Sequence, residues 1–186
     1  MRYAAFIPLL LLAACGQPDV ALKNASVEEV AKVAKAGASL NPGEWTNVTE
    51  VVSVDMPGLG ADEKKMMSAM TQAMIGQKTE TKNCITPEQA KSPDAGMFAG
   101  GASNGCRFET FTMSGGKMDA VMKCEGPDKK GEMKMTLSGQ YGGDQYSMAS
   151  EVNMSGNTGL PGHSGMTIKS KNSGKRIGAC PAQSKG

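Results

Sequence analysis

Between residues 117 and 155 apolar and polar side chains trade places at almost every step. No other feature constrains the fold as strongly. Met118, Ala120, Met122 and Cys124 share one side, against Lys117, Asp119 and Lys123. Met133, Met135 and Leu137 alternate with Glu132, Lys134 and Thr136, and Tyr146, Met148, Val152 and Met154 continue the pattern. A period of two means antiparallel strands with one dry and one wet face. The dry face is built largely of methionine, of which the chain has 15.

The remaining elements follow from local signals. WTNVTEVVSVD, within residues 44–55, is rich in β-branched residues and reads as a strand. Further strands are expected over 78–84, 106–113, 117–124, 132–139, 145–155 and 166–177. Gly115-Gly116 is a hairpin tip, and Gly142-Gly143 and Gly156 to Gly162 mark further connections. Three helix starts stand out. Ser26 and Glu29 form a capping box ahead of a helix over 27–36. Asp62 and Glu63 open a helix over 61–75, with Gly76 at its end. Thr86-Pro87 opens a third. The 61–75 helix carries a methionine stripe and is expected to pack on the dry face. The fold class is therefore α+β and β-dominated: a curved antiparallel meander of six to eight strands, half-barrel or barrel-like, with one packed Met-rich helix.

The N-terminus sets the compartment. Arg2, a short apolar run and Ala13-Ala14 form a secretory signal, too short to span a bilayer. Leu12-Ala13-Ala14-Cys15-Gly16 looks like a bacterial lipobox, in which Cys15 is acylated and becomes the first mature residue. Multiple acyl chains would hold such a terminus firmly. Gly16, where an inner-membrane retention signal would show Asp, points to the outer membrane, facing the periplasm. The expected division is a signal peptide over 1–14, a lipidated Cys15 with polar tether and short helix over 15–39, one β-rich domain over 40–181, and a tail over 182–186.

With Cys15 lipidated, Cys84, Cys106, Cys124 and Cys180 remain, an even set in an oxidising space. Two disulfides follow. A Cys106–Cys124 bridge needs a three-residue hairpin loop, because a two-residue loop leaves the pair one step out of register. The expected pairing is Cys84–Cys106 with Cys124–Cys180.

Twenty Lys and Arg against 18 Asp and Glu give no basis for nucleic-acid binding. No CxxC occurs, and the only histidine is His163, in a Gly/Pro loop without a partner at motif spacing. No metal, cofactor or catalytic residue is expected, and the chain reads as non-enzymatic. Asp62 and Glu63 suit the helix macrodipole. Gly100-Gly101 and Gly142-Gly143 fit no phosphate loop.

One series of residues carries a family likeness: Pro42-Gly43-Glu44-Trp45, Asn83-Cys84-Ile85-Thr86-Pro87-Glu88, Gly105-Cys106-Arg107-Phe108, Gly115-Gly116-Lys117 leading to Cys124, and Gly174-Lys175-Arg176-Ile177-Gly178-Ala179-Cys180. Over residues 40–180 the chain resembles the bacterial envelope proteins grouped as domain-of-unknown-function family 3617. The resemblance implies an exported β-rich domain without known catalytic residues.

Two functional readings rest on methionine. Met66, Met70, Met74, Met122, Met133, Met135 and Met148 form an expected pliable face for an apolar ligand or an envelope protein. The alternative is copper handling, since thioethers ligate Cu(I). Helical and alternating spacing favours methionine as adaptable core filler over ligation.

Overall fold

A computed structural model describes residues 19–37, 40–91, 105–125, 131–156 and 165–181. Eight strands form one antiparallel sheet: β1 (Val20–Ser26), β2 (Gly43–Asp55), β3 (Lys78–Ile85), β4 (Cys106–Ser114), β5 (Lys117–Glu125), β6 (Glu132–Tyr141), β7 (Gln145–Ser155) and β8 (Gly165–Gly178). Their spatial order is β1-β4-β5-β6-β7-β8-β2-β3. The meander β4 to β8 is the sheet's spine. The sheet does not close; β1 and β3 are its edges. The closed-barrel expectation is thereby corrected.

The turn between β4 and β5 has two residues, Gly115 and Gly116, at φ 56° and 77°. That is the geometry a type I′ hairpin demands, and glycine adopts it without steric cost. Ser114 accordingly pairs with Lys117.

Three helices accompany the sheet: α1 (Val27–Gly37), α2 (Ala61–Met74) and α3 (Pro87–Lys91). The capping box of α1 forms as the sequence indicates. The Glu29 amide donates to the Ser26 hydroxyl at 3.2 Å, and the Ser26 amide donates to Glu29 at 2.7 Å. Helix α1 follows β1 without a loop and folds back over β1 and β4. Val27, Val30 and Ala34 join Phe108, Phe111, Met113, Met118, Ala120 and Met122 in one buried cluster.

Three expectations are corrected. The polar tether becomes a strand from Val20 onward, because Val20, Leu22 and Ala25 supply an apolar edge to β4 opposite Met113, Phe111 and Phe108. The helix packed on the sheet is α1, not the methionine-rich α2. The end of α2 is fixed to the outer margin of β2: the Gly76 amide donates to the Val51 carbonyl at 2.8 Å, and the Val51 amide donates to Gln77 at 3.4 Å. Met66, near the middle of α2, stays 76% exposed.

The third correction is the disulfide pairing. The bridges are Cys84–Cys180 and Cys106–Cys124. The hairpin loop has two residues, yet Cys106 lies directly opposite Cys124, because β4 carries a bulge between Phe108 and Thr110. The extra residue, Glu109, supplies the step that the turn does not.

Candidate functional site

Side chains of directly paired residues share one face of a sheet. The register therefore writes out the dry face row by row. Cys124 leads across to Met133, Met154 and Met166. The next row runs Met122, Met135, Val152, Ile168 and Val54. Then come Ala120, Leu137, Ser150, Ser170 and Val51, followed by Met118, Gly139, Met148, Asn172 and Thr49. The last row is Tyr141, Tyr146, Gly174 and Asn47.

Two different surfaces result on one face. On β4 and β5 every row is apolar and lies within the buried cluster. Beyond β6 the middle rows turn polar and bond to one another. The Ser150 and Ser170 hydroxyls meet at 2.7 Å, the Asn172 amide donates to Ser150 at 3.4 Å, and Thr49 donates to Asn172 at 2.8 Å. Tyr146 donates its hydroxyl to Asn47 at 2.8 Å and stacks on the buried Trp45 with ring centroids 6.2 Å apart. Burial pushes the Tyr146 pKa up. Its ring lies over Gly174, where a Cβ would fall 2.1 Å from a ring carbon. Trp45 donates its indole N–H to the Asn41 carbonyl at 3.1 Å.

The first two rows stay apolar all the way across. Met133, Met135, Val152, Met154, Met166, Ile168 and Val54 are all half-buried. From β5 to β2 the strip crosses four strand spacings, about 19 Å, and its two rows are about 7 Å apart. The helix packed on the sheet, α1, lies over β1 and β4.

The opposite face is charged and paired. Lys123 bridges Glu109 and Glu132 at 3.3 and 3.4 Å, Lys134 reaches Glu109 at 3.3 Å, and Lys169 reaches Glu151 at 3.1 Å. Desolvation works to raise the Glu109 carboxyl, but hydrogen bonds and charge from Lys123 and Lys134 outweigh it and hold the pKa below its ordinary value. The Asn153 hydrogen bond and then Lys169 lower Glu151. This face also bears an open groove of about 550 Å³ with a mixed lining that includes Thr46, Val48, Gln140, Gln145, Ser173 and Lys175.

The structure thus brings Met122, Met133, Met135 and Met148 together on one face. It sets Met66 and Met74 apart, exposed on α2; the Met70 side chain lies outside the described residues, as do Cys15 and His163. Sequence reasoning put Val152 and Met154 on the dry side but left them out of the candidate ligand face, and it missed Met166 and Ile168. The signal was present: the alternation of Tyr146, Met148, Val152 and Met154 continues the dry side, and Met166 and Ile168 repeat it. Among the described residues no three His, Cys, Asp or Glu side chains converge on a possible metal position. No helix among them is long and apolar enough to cross a membrane.

The family described as protein of unknown function (DUF3617) matches residues 40–180. The chain belongs to that family. The match takes in β2 to β8 and leaves β1 and α1 before it. No curated protein and no solved structure matches the chain.

Proposed function

We propose that this chain is a lipid-anchored envelope protein, held at the outer membrane and facing the periplasm, that carries an acyl chain on its sheet. The role is one of holding, without catalysis. One observation supports it above the rest: an apolar strip about 19 Å long and up to two side chains wide crosses β5 to β2 and stays partly exposed beyond β6. Single exposed apolar residues are ordinary, but a contiguous strip marks a binding surface. Its width suits one extended hydrocarbon chain, and methionine lets the walls adapt to different chains. The hydrogen-bonded rows beside the strip give it a polar margin where a headgroup would rest.

The anchor reading rests on the Leu12-Ala13-Ala14-Cys15 string. Four residues lie between Cys15 and the start of β1, so the five chain steps reach at most about 18 Å. Val20 pairs with Met113 beside the Gly115-Gly116 turn. An anchor at Cys15 would hold that end of the sheet nearest the bilayer.

Native mass spectrometry of the full chain released from envelope membranes tests both parts. The expected spectrum shows diacylglycerol on Cys15 and a second, non-covalent acyl lipid. Val152→Lys places a charge in the strip and should remove the non-covalent lipid alone. Cys15→Ser should abolish the covalent lipid alone. A chain that carries no bound lipid and does not bind a fluorescent fatty acid contradicts the holding role, and lipid labelling that persists in Cys15→Ser contradicts the anchor.

A further inference from the structure

The outer row of the strip has a chemistry of its own. Met133 pairs directly with Met154, and Met154 with Met166, so three thioethers stand side by side on β6, β7 and β8. Directly paired Cα atoms in an antiparallel sheet are about 4.5–5.5 Å apart. Each methionine side chain has three rotatable bonds. Three sulfurs can therefore converge on one point above the middle strand without moving the backbone. All three residues are partly buried.

The surroundings select among cations. Across the row, the residue on β5 is Cys124, closed in its bridge with Cys106 and only 5% exposed, so no thiolate competes. Along the strands the neighbours on this face are Met135, Val152 and Ile168. Hard divalent ions take oxygen ligands and charge, which this row does not offer. Soft thioethers select soft ions such as Cu(I). Nowhere else do three methionines pair in this way among the described residues: Met122 faces Met135 but is fully buried, and beyond Met135 its row continues as Val152 and Ile168.

We propose that Met133, Met154 and Met166 form a three-thioether site for Cu(I). It shares side chains with the acyl-holding strip but does not rest on that reading. The alternation within each strand reads as core filler. The register between strands lines up the sulfurs, and sequence spacing does not report register.

The test uses the full chain with Cys15→Ser, so that no free thiol remains at the N-terminus, and a thiol assay confirms intact bridges. The protein is loaded with Cu(I) under ascorbate, and separately with Ag(I), then dialysed against bicinchoninate. The native sequence should retain one equivalent of either ion, with sulfur-only coordination by X-ray absorption. Met154→Leu with Met166→Leu should lower retention at least about tenfold. Leucine conserves apolar volume, so that variant should fold, with an unchanged urea midpoint as the check. Met66→Leu with Met74→Leu on α2 should change nothing. A native chain that retains no ion, or equal retention in the Met154/Met166 variant, overturns the proposal.

Discussion

The two halves of this sheet solve the same problem differently. On β1, β4 and β5 the dry face is covered by α1, and Phe108, Phe111, Met113, Met122 and Val30 are wholly buried. On β7, β8, β2 and β3 the same face keeps one wholly buried large side chain, Trp45, and sets a hydrogen-bonded Ser/Asn/Thr lattice beside a partly exposed apolar strip. A face without a covering layer must either bond its polar groups to each other or leave apolar groups for something else to cover. The first half follows the ordinary two-layer rule. The second half does not complete it, and the functional readings above arise there.

The staples differ in the same sense. Cys106–Cys124 ties adjacent strands inside the packed half, across 18 positions. Cys84–Cys180 spans 96 positions and joins edge strand β3 to the end of the chain in the sparse half. Closing a long loop restrains the unfolded chain more. The largest expected effect is therefore replacement of Cys84 and Cys180 by Ser, which should cost about 4.7 kcal/mol on the chain-entropy model, against about 3 kcal/mol for Cys106 and Cys124. Urea unfolding of both pairs measures the difference, and the reverse order would break the comparison.

Next, Phe111→Ala opens a cavity in the covered half and should cost about 4 kcal/mol. Ile168→Ala, at a partly buried position, should cost less, about 2 kcal/mol, the low end for a truncation of this size. Equal losses would mean that the strip is as well covered as the core.

These contrasts were only partly legible in the sequence. Alternation and capping residues locate the elements well, because they are local signals. The bulge at Glu109 was missed, although Phe108 and Phe111 are three apart in a strand where inward residues should be two apart. That spacing was its trace. The strand character of Val20–Ser26 was hidden by Lys23 and Asn24, and Asn24 takes the left-handed conformation at φ 51°. The methionine stripe on α2 reads as a core face, yet nothing local says that the helix is tied to the outer margin of β2. Most of the candidate face depends on which strands neighbour which, and strand order is a non-local property.

Asn172→Ala should sharpen the account of the polar lattice. It removes partners from both Thr49 and Ser150, and an effect of about 1 kcal/mol is expected from a hydrogen bond of ordinary net worth. No effect would mean that water replaces the lattice freely.

The smallest effect is pH dependence. Glu109, Glu151 and Glu29 all have lowered carboxyl pKa values: lysine partners prevail over desolvation at Glu109, the Asn153 hydrogen bond and then Lys169 act at Glu151, and Ser26 holds Glu29. A lowered folded value means stability that is complete above the unfolded carboxylate range, near pH ~4.3, and lost as pH falls through the folded values. Urea midpoints should be level between about pH 6 and 8 and fall only below about pH 4.5. Glu109→Gln should shrink that fall.

The central claim is that the strip across β6, β7 and β8 holds an acyl chain. Photocrosslinking with a diazirine fatty acid, followed by peptide mapping, tests it most directly. The account predicts saturable labelling of peptides from Glu132–Tyr141, Gln145–Ser155 and Gly165–Gly178, at Met135, Val152, Met154 and Ile168. Labelling confined to Met66 and Met74 on α2, or spread over Thr46, Ser147 and Ser173 on the charged face, would contradict it.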